Sequence, residues 1–346
     1  MKYSVEELNS SNAQDWNKLN EESPQGTLYH TLKWKEAVDQ FAQAKPNNFI
    51  VYRDDEAVAL CPFYRYKWKI KGLITMCSLL SESNIIVSCP DDPLVAKQIV
   101  LKCKEIIRKE GLAFTNITLL PETKDFFRSM NMLPHQATGW DAGVMTLDLQ
   151  QNTPEMIWHR FLSRYDRQRI RRAERDEWKI EESKSEEGIR SFYECMKTNS
   201  EYRFAGNIPE FSFFAYLMKT FSPNEMLVFL LRKDETVAGG TINFLYGPKK
   251  TLYGKYAATN RQAPNRYTPV YSLMWHLVKK ASAIGYTTVS FGGAPPYPDV
   301  HYRDKAKFGC RFEPRYSVTF PRLGALVNSA VTRLESISRT IPLTMN

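Results

Sequence analysis

Apolar positions recur along this chain in blocks of changing period. At residues 31–43, Trp34, Val38 and Phe41 fall on one face of a helix, and residues 12–22 predict an earlier helix with Asn12 as its N-cap. The stretches 48–53 and 57–70, joined by an acidic turn at Asp54–Glu56, predict a hairpin. Residues 93–110 predict a long helix that Gly111 stops, followed by a strand at 113–119, and a strand at 144–149 closes the first half. The second half repeats this order. Helices are predicted at 186–198 and 209–220, then strands at 227–232, 236–246 and 251–258. A helix at 269–284 has Thr268 as N-cap and Pro269 at its first position, ends at Gly285, and is followed by a strand at 286–291. Residues 154–175 connect the halves. Residues 323–339 predict an amphipathic helix with Leu326, Ala330, Leu334 and Ile337 on one stripe.

The letters repeat as well as the pattern. Residues 49–59 and 228–238 match at Arg53/Arg232, Asp55/Asp234, Glu56/Glu235, Val58/Val237 and Ala59/Ala238. A repeat this far apart marks two similar domains and not a short-period solenoid. Helices followed by antiparallel strands, then a helix and a strand, make an α+β (mixed α/β) fold, without the strict alternation of a doubly wound sheet. The expected division is a first domain at 1–150, a second at 151–322, and a C-terminal amphipathic helix and tail at 323–346.

Length and composition agree: 346 residues with 43% apolar side chains suit two globular domains. No apolar run approaches the roughly 18 residues that a membrane span needs, and the first residues lack the apolar stretch of a signal peptide. The expectation is a cytoplasmic protein, with peripheral membrane association open. The six cysteines and five histidines are scattered without metal-ligand spacing, so reduced thiols and no metal site are expected. The net charge of +9 points to an anionic partner, which on charge alone is nucleic acid, a phosphorylated cofactor or an anionic lipid.

The charge is concentrated. Arg160, Arg164, Arg167, Arg169, Arg171, Arg172 and Arg175 crowd the linking segment, and on one continuous helix Arg160, Arg164, Arg167 and Arg171 would lie close to one face, able to fork onto phosphate or carboxylate oxygens. The competing reading is a solvated helix paired with Asp166, Glu174 and Asp176. The alternation Arg65-Tyr66-Lys67-Trp68-Lys69-Ile70-Lys71 predicts an edge strand guarded by lysines, with a nucleic-acid platform as the alternative. Arg261 and Arg266 flank a loop ahead of helix 269–284, where a helix N-terminus can receive phosphate; the loop has no glycine and Pro264 and Pro269 offer no N–H.

The most specific stretch is 289–316. A buried strand ends in Gly292-Gly293, an irregular loop containing His301 follows, and then Lys305-x-x-Phe308-Gly309. Glycines at a strand end let backbone approach a ligand, and a lysine anchored after them can present a cation to a reacting carbonyl. Ser290-Phe291-Gly292-Gly293, Lys305-Ala306-Lys307-Phe308-Gly309, Arg167-Gln168-Arg169-Ile170-Arg171-Arg172-Ala173 and the opening Gly26-Thr27-Leu28-Tyr29-His30-Thr31-Leu32-Lys33-Trp34 together resemble the FemA/FemB/FemX family, whose members carry two GNAT-like acyltransferase domains in tandem.

The resemblance implies transfer of an acyl or aminoacyl group onto an amine of a cell-envelope-type or other small acceptor. The donor would be aminoacyl-tRNA or acyl-CoA, used as a substrate and not as a tightly bound cofactor. The resemblance allows an acceptor that is phosphorylated or lipid-linked, and it implies a tRNA contact if the donor is aminoacyl-tRNA. Lys305 falls on the family lysine that stabilises charge on the carbonyl oxygen, Arg167 on a position contacting a substrate diphosphate, and Tyr256 on a tyrosine lining the channel. The expected catalytic residues are Lys305 and Tyr256. The expected substrate-binding residues are Arg167, Arg171, Arg261, Arg266, Gly292, Gly293 and His301, in a groove between the halves, with the chemistry in the second copy.

The departures are specific. Asp304 replaces the family phenylalanine before the lysine, and Val38 stands where a lysine often follows the N-terminal tryptophan. There is no room for a long helical arm, and residues 261–267 lack the acetyl-CoA pattern of ordinary members. The rival reading is a non-catalytic protein binding nucleic acid or anionic lipid through the arginines.

Overall fold

The computed structural model describes residues 1–41, 44–70, 74–199, 208–263 and 269–321. The predicted C-terminal helix at 323–339, the Thr268 cap and Arg266 lie outside these residues.

The chain forms two compact units, one holding residues 1–142 and the returning segment from Pro314, the other Gly143–Glu313. In the first unit the order is β1 (Tyr3–Glu7), α1 (Ala13–Glu22), α2 (Leu32–Phe41), β2 (Lys45–Pro46), β3 (Phe49–Arg53), β4 (Glu56–Cys61), β5 (Phe63–Ile70), β6 (Ile74–Asn84), β7 (Ile86–Val87), α3 (Pro93–Glu110), β8 (Phe114–Leu119) and β9 (His135–Gln136). The second unit holds β10 (Gly143–Asp148), α4 (Pro154–Met156) running into a π-helical turn (Ile157–Phe161), α5 (Arg164–Arg175), β11 (Lys179–Ser183), α6 (Glu186–Thr198), α7 (Phe211–Thr220), β12 (Met226–Lys233), β13 (Thr236–Tyr246), β14 (Thr251–Thr259), α8 (Pro269–Ala283), β15 (Thr288–Gly293), α9 (Val300–Ala306) and β16 (Arg311–Pro314). The chain then returns to the first unit as β17 (Tyr316–Pro321).

The duplication is visible in the pairing. The second unit has one seven-stranded sheet, β11-β12-β13-β14-β15-β10-β16; the first has sheets ordered β1-β3-β4-β7 and β2-β5-β6-β8-β17-β9. In both, an antiparallel hairpin leads to a parallel pair joined through a long helix: β6 with β8 across α3, and β14 with β15 across α8. The hairpins share a two-residue turn and a bulge at the same place, and Asp54 and Asp234 both take φ +48°. This geometry corrects the letter alignment by one residue, since it places Asp54, not Asp55, opposite Asp234. The predicted single strand 57–70 is two strands in two sheets, because Pro62 cannot donate to a ladder where the chain changes sheets.

The strand predicted to close the first half does not pair there. β10 lies antiparallel to β15 in the second unit, whereas β17 lies antiparallel to β8 in the first. The compact units therefore divide at Ala142/Gly143, not at 150, and the first is completed by residues from beyond 313. β5 pairs with β6 along its length but with β2 only at Tyr64 and Arg65, so its lysine-studded remainder is an outer edge among the described residues.

Each unit has its own core. Phe49, Phe63, Val95, Ile99, Ile117 and Phe127 are fully covered in the first, and Leu147, Phe229, Leu252, Leu273, Val289 and Phe308 in the second. Two helices begin where side chains satisfy orphan amides: Asp92 accepts from Leu94 N at 3.0 Å ahead of α3, and Ser163 from Asp166 N at 3.1 Å ahead of α5. Trp178 and Trp275 are buried, and Trp158 packs on Trp275 at 5.0 Å between ring centroids.

Candidate active site

The second unit's sheet forks. β14 pairs with β13 up to Thr259, but with β15 only at Thr251, Leu252 and Tyr253, opposite Thr288, Val289 and Ser290. A bulge in β14 falls at Lys255, since Ile242 faces Tyr256 and Asn243 faces Gly254. Past that point the two parallel strands make no ladder among the described residues, and each leaves backbone groups to other partners.

β15 ends beside this fork in the two predicted glycines. Gly292 has φ +72°, a left-handed conformation that a side chain would strain, and Gly293 pairs with Val144 of β10. The carbonyl of Gly293 accepts a 2.7 Å hydrogen bond from Lys305 Nζ. Lys305 sits near the end of α9, a helix where the sequence suggested an irregular loop. Asp299 starts it, accepting from the His301 N–H at 2.8 Å. Burial pulls the Lys305 pKa down to about 8, with Cys310 and Asp299 nearby acting in the opposite direction. Lys305 is thus a pinned, partly desolvated cation, not a surface lysine. His301 stands one turn before it, half-buried, on the same side of the helix by spacing.

Asp304 pairs with a nearby cation, Lys307. It accepts from the Tyr271 hydroxyl at 2.7 Å and from Lys307 Nζ at 3.2 Å; Lys307 also donates to the Tyr271 oxygen at 2.8 Å and stands 3.9 Å from the buried Asp166. The Arg169 guanidinium lies over the Tyr271 ring, 4.2 Å from its centroid. This network ties α5, α8 and α9 together. Sequence reasoning missed Tyr271, Lys307, Asp166 and Arg169 as a group, because their partners are far apart in the chain. The only local signal was the i, i+3 spacing of Asp304 and Lys307.

The arginines divide. The segment 160–175 is not one helix: it breaks at Leu162–Ser163, where Ser163 caps a new start, so Arg160 belongs to the preceding π turn. Arg167 Nη1 donates to the carbonyls of Trp158 at 3.0 Å and Leu162 at 2.6 Å, so that part of the guanidinium holds the break together. Arg171 is exposed, with its guanidinium 5.3 Å from the Trp158 ring. Arg261 is exposed in the turn after β14. Tyr256 packs edge-on against Phe213 and Phe214 of α7, with centroids 6.3 and 5.2 Å away.

The structure thus gathers Gly292, Gly293 and Lys305 at one strand end, with His301 one turn earlier on the helix of Lys305, and fastens α5, with Arg167 and Arg171, to that helix through Asp166 and Lys307. Tyr256 is built into the packing of α7. A cavity of about 390 Å³ lies away from Lys305, under α5 and α8 and lined by Ile170, Trp178, Trp275 and His276. Among the described residues no group of three or more His, Cys, Asp or Glu is placed to hold a metal ion, and all six cysteines are free.

Comparison with known proteins agrees with this architecture. Residues 160–303 match the acetyltransferase (GNAT) domain model. Among solved structures, FemX is similar with a TM-score of 0.69 at 15% identity, over 96% of this chain and 99% of that one. A tandem GNAT protein from the clavulanic acid biosynthesis pathway gives a TM-score of 0.61 at 11% identity, covering 94% of this chain and 100% of the other. L-PGS from Bacillus licheniformis gives 0.58 at 15%, with 97% and 98% covered. No curated protein sequence matches the chain. The two units are a tandem GNAT fold.

Proposed function

We propose, with the tandem GNAT fold as premise, that this protein is an N-acyltransferase or aminoacyltransferase acting at the end of β15. An acceptor amine attacks the carbonyl carbon of an activated thioester or ester, acyl-CoA or aminoacyl-tRNA. The C–N bond forms, the C–S or C–O bond breaks, and the departing thiol or hydroxyl carries away a proton that the amine has lost. No covalent bond to the enzyme is needed, so catalysis rests on alignment and on stabilising the charge on the carbonyl oxygen.

The observation that carries this reading is Lys305, held 2.7 Å from Gly293 O beside the forked strands. An ammonium pinned there, with a pKa of about 8, stays largely protonated at neutral pH and is acidic enough to shed a proton to a leaving group. His301 and Arg171 are proposed to contact substrate. Arg167 is proposed to hold the 157–163 break, with its other nitrogens turned to an anion, and Arg261 and Arg266 to meet a donor phosphate. Tyr256 is proposed to wall the donor side through its α7 packing. The acceptor class proposed here is an amine of a cell-envelope-type or other small acceptor.

The test is a screen for thermal stabilisation by acyl-CoAs, aminoacyl-tRNAs and nucleotide-linked precursors, followed by turnover with those that stabilise. Lys305→Ala should lower turnover by about a hundredfold or more while the stabilising ligand still binds. Wild-type turnover should fall as pH rises through about 8, where the ammonium loses its proton. A Lys305→Ala protein with normal turnover would sink the assignment.

A further inference from the structure

The outer surface of residues 154–175 carries more than the candidate site uses. On α5, Arg164, Gln168, Arg171, Arg172 and Arg175 are exposed, opposite the buried Asp166, Ile170 and Ala173. Arg160 is exposed on the preceding π turn. Large apolar side chains stand among these cations: Tyr165 is 67% exposed, Met156 38% and Phe161 36%.

Three observations separate this surface from an ordinary solvated helix. The first is charge. Asp166 is buried and engaged by Ser163 and Lys307, and Asp176 closes the helix, 3.7 Å from Arg172 and 3.6 Å from Arg175. Glu155 and Glu174 are the remaining exposed acids on these elements, against five exposed arginines. The second is the interleaving of cation and ring: Arg160 lies 5.8 Å from the Phe161 ring, Arg169 5.6 Å from Tyr165 and Arg171 5.3 Å from Trp158. Such pairs keep an apolar body and a charged tip at the same height. The third is that the display is built in. Phe161 rests on Gly309, where φ is +84° and an added Cβ would come within 3.2 Å of ring atoms. The glycine that ends the Lys305-x-x-Phe308-Gly309 motif therefore supports the ring.

We propose that the surface formed by α4, the π turn and α5 docks this protein on an anionic lipid bilayer. The arginines would meet headgroup phosphates, and Met156, Phe161 and Tyr165 would sit at the headgroup–acyl boundary. The side chains favour lipid over RNA: Met156 has no face on which a base can stack and gains nothing from a phosphate backbone, whereas both it and Phe161 gain from an acyl boundary. No helix among the described residues is long and apolar enough to cross a membrane, so docking would be peripheral. The inference deepens the transferase reading by placing the acceptor in a lipid surface, but its test does not use turnover, so either can fail alone.

The experiment is co-sedimentation of the full chain with vesicles of phosphatidylcholine alone and of equimolar phosphatidylglycerol and phosphatidylcholine, over a range of salt. Binding is expected only with the anionic vesicles, weakening as salt rises. The triple variant Arg164→Gln, Arg172→Gln, Arg175→Gln should lower partitioning by roughly tenfold to a hundredfold, at about fivefold for each arginine less the part already paired with Asp176. Tyr165→Ser should lower what persists at high salt. Circular dichroism identical to wild type shows that the variants are folded. Equal binding to both vesicles, or a folded triple variant that partitions like wild type, overturns the proposal. So does a single-stranded RNA that displaces the protein from vesicles at equal phosphate concentration.

Discussion

At the scale of single residues, two desolvated lysines show what spacing can and cannot reveal. Lys305 was legible because glycines at a strand end and a motif lysine stand close in the chain. Lys35 was not. The helix pattern at 31–43 marked Trp34 and Val38 as inward, and both are, at 3% exposure; Lys35, which that pattern does not mark, is 2% exposed. Its Nζ lies 5.1 Å from the Trp16 ring and 4.9 Å from the Tyr64 ring, donates to Asn48 Oδ1 at 2.8 Å, and stands 3.9 Å from Glu82. Those partners come from four distant segments, so no local pattern announces them. Burial lowers the Lys35 pKa from 10.5 to about 8, with Glu82 and Asp39 opposing. The unfolded chain therefore holds this proton more firmly between those values, and the lysine's contribution to stability rises with pH across that window and is smallest below it. Lys35→Met removes the dependence. Denaturant unfolding of both proteins from pH 7 to 9.5 should show wild type gaining on the variant by up to about 2 kcal/mol, since each unit is worth about 1.4 kcal/mol. Parallel curves would refute the buried charge. The difference is taken between proteins because the buried Cys61 and Cys103, whose thiols burial pushes up, titrate in the opposite sense in both.

At the scale of elements, strongly periodic segments read true. The helix predicted at 186–198 is Glu186–Thr198, and the long helix stopped by Gly111 is Pro93–Glu110. What failed was short or shared. α9 has seven residues between a proline-rich loop and Gly309, and its composition is polar, so helical periodicity has nothing to show. Its position is set instead by tertiary bonds from Asp304 and Lys307 to Tyr271 of α8 and Asp166 of α5. Lys305 is held on a helix that is itself held by its neighbours. Tyr271→Phe keeps the ring, which is 2% exposed, and deletes the hydroxyl that bridges Asp304 and Lys307. The cost should be about 1 kcal/mol of global stability, with a larger local effect. Amide exchange across 300–306 should quicken several-fold while β14 and β15 keep their protection. Unchanged exchange in α9 would show that the ion pair between Lys307 and Asp166 suffices to place it.

At the scale of the whole molecule, the duplication was legible and the path of the chain was not. Repeated hairpins and helix–glycine–strand units identify two copies, because each copy must satisfy the same local rules. The reciprocal placement of β10 and β17 leaves no local trace. Both are six-residue strands that read the same whichever sheet receives them. The consequence is that residues up to 142 do not contain a complete first unit. β17 pairs with β8 through six residues and lies between β8 and β9, and it buries Val318 and Phe320 in the first core. Losing those two side chains costs about 1.5–3 kcal/mol each before the ladder is counted, a large share of the roughly 5–15 kcal/mol that holds a domain folded. The second unit keeps all seven strands of its sheet when the chain ends at Glu313, apart from the last residue of β16. A chain terminated there should therefore lose amide protection across 114–119 and keep it across 288–293. A peptide of residues 314–346 added in trans should restore part of the first, as strands that complete an open sheet edge do. Protection of 114–119 that survives the truncation would mean that β8 is secured from its β6 side alone, and that the exchanged strand is dispensable.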